Sequence, residues 1–387
     1  MGVSEAASPN VADPAVAAVP LLDLRAQYAS LRDEILPRIA EVLDGQAVCN
    51  GPACVELEQQ VADYCRVDHA VSCSSGTDAL LLALMALKIG CGDEVVTSPF
   101  TFFATAGSLY RQGVRPVFCD IDPDTFNLDP RKVEAKITER TRAVMPVHLF
   151  GQMADLDAVE AIAEARGLHV IEDAAQAIGA TYRGDRAGQR SVATALSFYP
   201  TKNLGGAGDG GMVLTPDAGL AERMRLLRNH GAGTGEARYH HLEVGGNFRM
   251  DSFNAAYLSV KLKRLDAWHD ARRANAAYYD ERFAGLEELQ TPVIAEGCGS
   301  IYNQYVVRTP RRDDLLAHLR ARKIGCAVYY PLSLHEQPCF ASLGYRRGDF
   351  PESERAADEV LALPVYPELG EAQRAYVAEA VRSFFGA

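Results

Sequence analysis

The stretch Ser197-Phe198-Tyr199-Pro200-Thr201-Lys202-Asn203 places a lysine in a tight turn directly after a short apolar strand, predicted at 195–198. Lysine side chains usually lie in solvent, and that is also the ordinary interpretation of Lys202. A partly buried lysine beside a cationic cofactor has a lowered pKa and is a good nucleophile for a Schiff base. The sequence around the turn has to decide between these two interpretations.

Three other segments carry polar or aromatic residues at the ends of predicted strands or at helix starts. Ile171-Glu172-Asp173-Ala174-Ala175-Gln176 puts an acid where it either holds a ring nitrogen protonated or caps a turn. Ser74-Ser75-Gly76-Thr77 opens an apolar helix predicted at 78–88, as a phosphate cup or as the commoner helix cap. Pro99-Phe100-Thr101-Phe102-Phe103-Ala104 offers an aromatic side chain for stacking on a ring or for the core.

Predicted strands and helices alternate from residue 52 to residue 215. Strands are predicted at 94–97, 116–120, 143–147, 168–172, 195–198 and 212–215, and helices at 52–65, 78–88, 102–112 and 156–166. Helices of this length between strands indicate a mostly parallel sheet that is covered on both faces. Because ligands of such sheets bind beyond the carboxyl ends of the strands, the segments described above are expected to lie near each other.

The composition of the sequence and the pattern of predicted elements change after residue 230. A polar, glycine-rich stretch at 230–246 precedes a long predicted helix at 252–283 and short strands at 305–308 and 327–330. We therefore predict a large domain at 21–248 and a small C-terminal domain at 249–387. Residues 1–20 contain no Lys or Arg and are predicted to form a disordered tail.

Composition excludes several classes of function. The chain has 387 residues and a net charge of -12, so its overall field repels nucleic acid and anionic membranes. Its longest apolar run, 79–87, is too short to span a bilayer. The nine cysteines include no C-x-x-C pair, which favours reduced thiols in a cytoplasmic enzyme over disulfides or a metal site.

In chain order, the segments place a phosphate cup, a stacking aromatic, an acid at a strand end, and a lysine 29 residues after the acid. This order resembles the DegT–StrS group of pyridoxal-phosphate nucleotide-sugar aminotransferases, a branch of the aspartate-aminotransferase (type I) fold. The resemblance runs from residue 22 to residue 367. It implies an α/β fold with a mostly parallel seven-stranded sheet between helices, and a smaller C-terminal α+β domain.

The resemblance also implies a role for each matching residue. Lys202 carries pyridoxal 5'-phosphate as a Schiff base and moves protons, and Asp173 pairs with the pyridine nitrogen. Gln176 lies beside the ring hydroxyl, and Phe102 stacks on the ring. Four residues hold the phosphate, the last of them from the neighbouring subunit of a homodimer with shared active sites: Gly76, Thr77, Ser197 and Asn247.

On the substrate side, the sequence is similar to enzymes that aminate the 3-keto group of UDP-linked N-acetyl sugars, including 3-keto uronic acids. The segments that carry this similarity are Tyr239-His240-His241, Tyr302-Asn303-Gln304-Tyr305 and Tyr329-Tyr330-Pro331-Leu332 with His335. The candidate substrate-binding residues are Arg249, Tyr330, His335 and His240. Each of them also has an ordinary interpretation as a structural or solvated side chain. Two features depart from the group: Ser75 stands where it often has Asn, and the stretch 231–238 is a few residues longer than expected. Both leave the exact sugar open.

The activity implied by the resemblance is a ping-pong transfer of an amino group from L-glutamate to a nucleotide-linked keto-sugar. Glutamine as donor stays open, as do a cyclitol and another keto position, such as C4 of a dTDP-sugar. A dehydratase on the same fold replaces the Schiff-base lysine by histidine or adds iron–sulfur cysteines, so Lys202 and the cysteine spacing disfavour it. A non-catalytic regulator is disfavoured by the retention of Lys202, Asp173 and Gln176.

Overall fold

The computed structural model describes residues 18–387 of the chain. Residues 1–17, most of the predicted disordered tail at 1–20, lie outside the described part. Val19, near the end of that tail, is buried and pairs with Ile324 through an isolated parallel bridge. The beginning of the described chain is therefore attached to its C-terminal part.

Seven of the strands in the described residues form one central sheet. All strands, in chain order, are β1 (His69–Cys73), β2 (Glu94–Thr97), β3 (Arg115–Phe118), β4 (Thr141–Met145), β5 (His169–Asp173), β6 (Thr181–Tyr182), β7 (Asp185–Arg186), β8 (Ala193–Ser197), β9 (Gly211–Thr215), β10 (Cys298–Gly299), β11 (Tyr305–Arg308) and β12 (Val360–Leu363). The sheet order is β1-β9-β8-β5-β4-β2-β3, in which β9 is antiparallel to both neighbours and the other neighbouring pairs are parallel. The expectation of a mostly parallel α/β sheet is confirmed.

Helices cover this sheet and build the C-terminal part. They are α1 (Leu24–Gly45), α2 (Pro52–Cys65), α3 (Gly76–Ala86), α4 (Ala104–Arg111), α5 (Pro130–Val133), α6 (Leu156–Arg166), α7 (Ala218–Leu227), α8 (Ser252–Leu262), α9 (Leu265–Phe283), α10 (Arg312–Ala321), α11 (Pro351–Glu359) and α12 (Glu371–Phe385). Several begin at an aspartate whose carboxylate accepts N–H groups of the first turn: Asp23, Asp129, Asp155, Asp217 and Asp251. Within residues 18–387, no helix has the length and apolar character that crossing a bilayer requires.

Alternating side chains of the strands pack against helices on opposite faces of the sheet. In β9, Met212 and Leu214 belong to the same buried cluster as Leu57 of α2 and Leu258 of α8. Val213, between them, belongs to the cluster of the opposite face, which includes most apolar residues of α3. This period of two leaves both faces of β9 buried, as a central strand requires.

The C-terminal part has its own apolar cluster. Strands β11 and β12 pair antiparallel, with Tyr305 opposite Leu363. Tyr305 packs among Tyr279 and Phe283 of α9, and Val381 of α12 belongs to the same cluster. The division of the chain at residue 248 stays a prediction.

Two predicted elements differ in the structure. The single helix predicted at 252–283 is two helices, α8 and α9, because the N–H of Arg264 bonds to the carbonyl of Lys261 and interrupts the helical ladder. The strand predicted at 327–330 is wrong, since only Ala327 pairs with a strand residue, Ala362. The apolar side chains that follow Ala327 pack around Phe100 instead.

Candidate active site

A cavity of about 590 Å³ lies at the carboxyl edge of the central sheet. Asp173 ends β5 and Ser197 ends β8, and both side chains line the cavity. The first residues of α3, which follows β1, lie in the same wall. The structure brings together eight predicted site residues here: Gly76, Thr77, Phe102, Asp173, Gln176, Ser197, Lys202 and Tyr330.

Lys202 lies in a compact turn between β8 and β9. The N–H of Lys202 donates to the carbonyl of Tyr199 at 2.8 Å. Gly205 is required there, because a Cβ on it would lie 2.1 Å from the carbonyl oxygen of Pro200. The buried Nζ of Lys261, on α8, donates to the carbonyl of Gly205 at 2.5 Å. The turn is therefore fixed from inside, and Lys202 projects from it into the cavity.

The surroundings of Lys202 change its protonation. Burial lowers the pKa of Lys202 to about 8, although the negative charge of Asp173 acts in the opposite direction. A lysine in solvent has a pKa near 10.4 and is almost fully protonated at neutral pH. The ε-amino group of Lys202 is thus able to exchange a proton near physiological pH.

Asp173 is buried at the base of the cavity. Its Oδ2 accepts from the hydroxyl of Thr105 at 2.7 Å, and its Oδ1 accepts from the N–H of Ala175 at 3.2 Å. The backbone N–H of His148 donates to the carbonyl of Asp173 at 3.0 Å. These contacts orient the carboxylate, and each oxygen keeps capacity for a further donor from the cavity.

Gln176 joins the sheet edge to the segment that carries Tyr330. Its Oε1 accepts from the N–H of Phe150 at 2.7 Å, and its Nε2 donates to the hydroxyl of Tyr330 at 3.0 Å. Burial raises the pKa of the Tyr330 phenol well above its ordinary value, so this hydroxyl keeps its proton. Tyr330 is consequently a neutral hydrogen-bonding group in the cavity wall.

The amino end of α3 lies against the end of β8. Ser75 caps the helix by accepting the N–H of Asp78 at 3.1 Å. A Cβ on Gly76 would lie 2.7 Å from Cβ of Ser197, so only glycine allows this approach. The helix cap and the phosphate cup were alternatives in the sequence; the structure shows the cap, and the cap leaves the following residues at the cavity, so it does not exclude a phosphate there. Ser75 satisfies one N–H, while Gly76 and Thr77 face the cavity.

The two neighbouring aromatics, Phe102 and Phe103, have different surroundings. Phe102 is 54 % exposed and lies in the cavity wall, 6.1 Å from the ring of Tyr330. Phe103 stacks on Phe340, with ring centroids 5.6 Å apart. Phe102 therefore offers a free face to a flat ligand, whereas Phe103 packs against the C-terminal part.

The structure does not bring four predicted residues to the cavity wall. His335 is buried, with its Nε2 at 3.0 Å from the Glu354 carboxylate and its ring on Phe350, which is a packing environment. Nη1 of Arg249 donates to Oδ1 of Asn229 at 2.7 Å. Two further predicted residues are exposed and lie outside the cavity wall: His240 and Asn247.

Sequence reasoning missed residues that support the site from behind. Thr105 contacts Asp173 directly, yet it follows the aromatic segment without any signal of its own. His148 donates from Nε2 to Glu172 at 2.6 Å, and its Nδ1 accepts the N–H of Ala154 at 3.1 Å, so both ring nitrogens have partners. The position of His148, directly after the strand predicted at 143–147, is the signal that could have identified it. Other cavity residues without an assigned role are Thr101, Tyr199, Thr201, Asp209, Gln304 and Tyr329.

Comparison with known proteins identifies the chain. The model of the DegT/DnrJ/EryC1/StrS aminotransferase family matches residues 29–382. The chain belongs to this family. It is an aminotransferase that depends on pyridoxal 5'-phosphate, as the DegT–StrS resemblance implied.

Several relatives of this DegT/DnrJ/EryC1/StrS chain match over nearly its whole length. It is 50 % identical to the "Pleiotropic regulatory protein" of Geobacillus stearothermophilus, covering 95 % of this chain and 98 % of that one. It is 45 % identical to the dTDP-3-amino-3,4,6-trideoxy-alpha-D-glucose transaminase of Streptomyces venezuelae, covering 95 % and 96 %. It is 44 % identical to the UDP-N-acetyl-3-dehydro-alpha-D-glucosamine 3-aminotransferase of Acidithiobacillus ferrooxidans, covering 94 % and 97 %.

The fold agrees with a solved structure of this family. The crystal structure of S. venezuelae DesV in complex with a ketimine intermediate matches with a TM-score of 0.94 at 44 % identity. The match covers 96 % of this chain and all of that one. The type I fold expected from the sequence is therefore confirmed.

The cavity fits the cofactor of the DegT/DnrJ/EryC1/StrS family. Its volume of about 590 Å³ is in the range of small-molecule sites. It offers an amine of lowered pKa, a buried carboxylate, an exposed aromatic face and a helix start for an anion. These are the groups that a flat, phosphorylated aldehyde of a pyridine requires.

Proposed function

We propose that this chain transfers the amino group of L-glutamate to the C3 keto group of a UDP-linked sugar. The observation that carries the transfer chemistry is that Lys202, with its pKa lowered to about 8, shares one cavity with Asp173. The relatives, through their names, support a nucleotide-linked sugar as the acceptor.

Lys202 moves the protons of the reaction. When bound, pyridoxal phosphate carries the amino group between donor and acceptor and withdraws electrons from the carbon that loses a proton. Nζ of Lys202 binds the cofactor at rest, then takes that proton and returns it to a neighbouring carbon as general base and acid. A pKa of about 8 suits both directions, because neither protonation state is rare near neutral pH.

Other residues of the cavity hold the cofactor. The carboxylate of Asp173 would accept a hydrogen bond from the protonated pyridine nitrogen, and Gln176 would lie beside the ring hydroxyl; both side chains line the cavity. Phe102 supplies the stacking face. Gly76 and Thr77 bind the phosphate at the start of α3, together with the hydroxyl of Ser197.

The two transaminase relatives support amination at C3. Their names share the 3-position of the sugar, and they differ in the nucleotide, dTDP in one and UDP in the other. UDP is favoured here by the sequence resemblance around His240, Gln304 and Tyr330, of which Gln304 and Tyr330 line the cavity.

A homodimer with shared active sites is part of the proposal. The loop that precedes Asn247 exposes apolar side chains: Tyr239, Leu242 and Val244. Val244 is 91 % exposed, and this exposed apolar group supports a second copy of the chain as the surface that covers it. Asn247 lies at the end of this loop and is free to reach the phosphate of the partner.

Subunit complementation tests the shared site. Lys202→Ala and Asn247→Ala proteins, each of low activity, are mixed after mild dissociation and assayed. Mixed dimers contain one site with neither substitution, so we expect activity to rise to about a quarter of the wild-type value. Activity that never exceeds the sum of the two variants would contradict shared sites.

The thiols support a reducing location. All nine cysteines are free, and Cys65 and Cys73 are buried. Burial raises the pKa of Cys65 to about 12, so it remains a protonated thiol. We therefore propose that the enzyme works in the cytoplasm.

The proposed reaction is tested in reverse. Purified enzyme is given 2-oxoglutarate and UDP-linked or dTDP-linked sugars that carry an amino group at C3 or C4, and L-glutamate is measured. We expect turnover with the UDP-linked 3-amino sugar. Turnover with 4-amino sugars alone would contradict the position, turnover with dTDP-sugars alone would contradict the nucleotide, and no turnover by cofactor-loaded protein would contradict the activity.

A regulatory role is the second candidate, because the 50 % identical relative has a regulatory name. Catalysis and regulation are separated by the absorbance of the bound cofactor. An enzyme is bleached by L-glutamate as its cofactor becomes aminated, and the colour returns with keto-sugar. A protein that binds the cofactor but keeps its colour with every donor is a regulator.

A further inference from the structure

Two buried threonine hydroxyls form a chain of hydrogen bonds that ends on Asp173. Thr101 lies in the loop after β2, and Thr105 lies in the first turn of α4. The hydroxyl of Thr105 donates to Oδ2 of Asp173 at 2.7 Å, and the two threonine hydroxyls are 3.0 Å apart. Because Thr105 has one hydroxyl proton and gives it to Asp173, it must accept from Thr101. The donors therefore all point towards the carboxylate.

This chain of hydroxyls acts on Asp173 without competition from water. Thr101 is 3 % exposed and Thr105 is fully buried. The negative charge of Asp173 acts on two titratable groups of the cavity, Lys202 and Tyr330, and its Oδ1 accepts from the N–H of Ala175. Hydrogen bonds in series strengthen one another, and donors to a carboxylate favour its ionised form. The two threonines thus direct a hydrogen-bond donor at Oδ2 of Asp173, and a proton bound to that oxygen would compete with this donor.

We propose that Thr105, supported by Thr101, keeps the proton shared by Asp173 and the pyridine nitrogen on the nitrogen. The inference rests on the cofactor role of Asp173 under the proposed function. A more basic carboxylate would take this proton, and the ring would lose the positive charge with which it withdraws electrons. Thr105 is a positioning residue, since it acts on the cofactor only through Asp173.

The NMR chemical shift of the ring nitrogen, with isotope-labelled cofactor, reports the position of the proton directly. Thr105→Val keeps the shape of the side chain but removes the donor, and we expect the signal to move towards that of unprotonated pyridine. Thr105→Ser retains the hydroxyl and should keep the wild-type signal. Thr101→Val should move the signal in the same direction by a smaller amount. We expect kcat of Thr105→Val to fall about 10-fold to 100-fold.

Control variants separate this inference from the proposed function. Thr97→Val removes another buried hydroxyl, which donates to the carbonyl of Met145, and should leave the signal unchanged. A wild-type signal in Thr105→Val, with a shifted signal in Asp173→Asn, would overturn the role of Thr105 alone. A wild-type signal in Asp173→Asn would overturn the role of Asp173 and with it this part of the proposed function. If Thr105→Val does not fold, a wild-type signal in Thr101→Val overturns the proposed action of the threonine hydroxyls on Asp173.

Discussion

Two regions of the molecule that the proposed function needs are built in opposite ways. We call the first the cofactor wall, made of the strand ends at Asp173 and Ser197 and the turn at Lys202. Its groups contact buried partners, such as Thr105 behind Asp173 and Lys261 behind the turn. The second is the 231–246 loop, which carries His240 and exposes Tyr239, Leu242 and Val244.

The two regions differ in whether contacts inside one chain are enough to fix their geometry. The cofactor wall is fixed by contacts inside one chain, so single substitutions in it should have large and specific effects. The 231–246 loop is held mainly by backbone hydrogen bonds, such as the N–H of Gly233 to the carbonyl of His240, and it leaves several side chains exposed. Under the proposed function, a partner chain or a substrate covers these side chains. Under the proposed function, the groups that carry the chemistry are therefore held inside the chain, whereas residues that select the sugar lie in an exposed segment.

The largest effect is expected at the centre of the cofactor wall. Lys202→Ala removes the group that moves the protons, and we expect kcat to fall by at least about 10⁴-fold. Lys263→Ala, an exposed lysine at the end of α8, is the matched control and should retain wild-type activity. The measurement is glutamate-dependent turnover. A Lys202→Ala protein with near-normal turnover would remove the distinction between the two regions.

The next effect concerns the buried pair that supports the cofactor wall. Removing His148 leaves the carboxylate of Glu172 buried without its main donor, so His148→Ala should lower the free energy of unfolding by about 3–5 kcal/mol. Denaturant unfolding measures it. His169→Ala, at the exposed start of the same strand, is the control. Equal losses of unfolding free energy in the two variants would contradict a stabilising role of the buried pair.

The pair also predicts the acid stability of the protein. Burial alone would raise the pKa of Glu172, but hydrogen bonds from His148 and Thr194 outweigh it and lower the pKa below its ordinary value. A group with a lowered folded pKa stabilises the fold above its unfolded pKa, near 4.3, and this contribution is lost as pH falls through the folded value. Wild type should therefore lose more stability between pH 5 and acid conditions than Glu172→Gln, which cannot titrate. Parallel curves for both proteins would contradict the shift.

A moderate effect is expected for the reactivity of the lysine itself. With a pKa of about 8, roughly half of the Lys202 amines are neutral at pH 8, against less than about 1 % for an ordinary lysine. In cofactor-free protein, an amine-selective reagent should label Lys202 about 100-fold faster than exposed lysines. Lys261 has a similarly lowered pKa but is buried, so it should stay unlabelled. Labelling of Lys202 at the ordinary rate would contradict the lowered pKa.

The smallest effect is expected in the 231–246 loop. His240→Ala removes an exposed side chain whose residue is held only by backbone hydrogen bonds, such as N–H to the carbonyl of Ala237. We expect KM for the sugar to rise about threefold to tenfold, with kcat and cofactor affinity unchanged. Steady-state kinetics with varied sugar measure it. A loss of kcat without a change in KM would place His240 in the chemistry instead.

The parts of the fold that the sequence predicted well have strong local patterns. The predicted bounds of α2, β2, α6 and β11 are those of the structure, because caps or periodic apolar residues mark their ends. The break at Lys263 was missed, since neither proline nor glycine signals it. Apolar residues at 327–330 suggested a strand, but the same side chains satisfy burial by packing on Phe100.

The site divides in the same way. Motif residues such as Gly76, Asp173 and Lys202 were predicted because each has a local signature, and the sheet edge brings them together. The partners behind them were not predicted, because Thr105 lies 68 residues from Asp173 and His148 lies 24 residues from Glu172. Contacts of this separation become visible only once the strand order is known.

A covalent link between Lys202 and the cofactor can be measured directly. The protein is loaded with pyridoxal phosphate, reduced with borohydride, digested and analysed by mass spectrometry, which locates the pyridoxyl group on one peptide. We expect the group on Nζ of Lys202 and on no other lysine, and we expect the Lys202→Ala protein to be unlabelled. A label on another lysine in active protein, or an active protein without any label, would contradict this expectation.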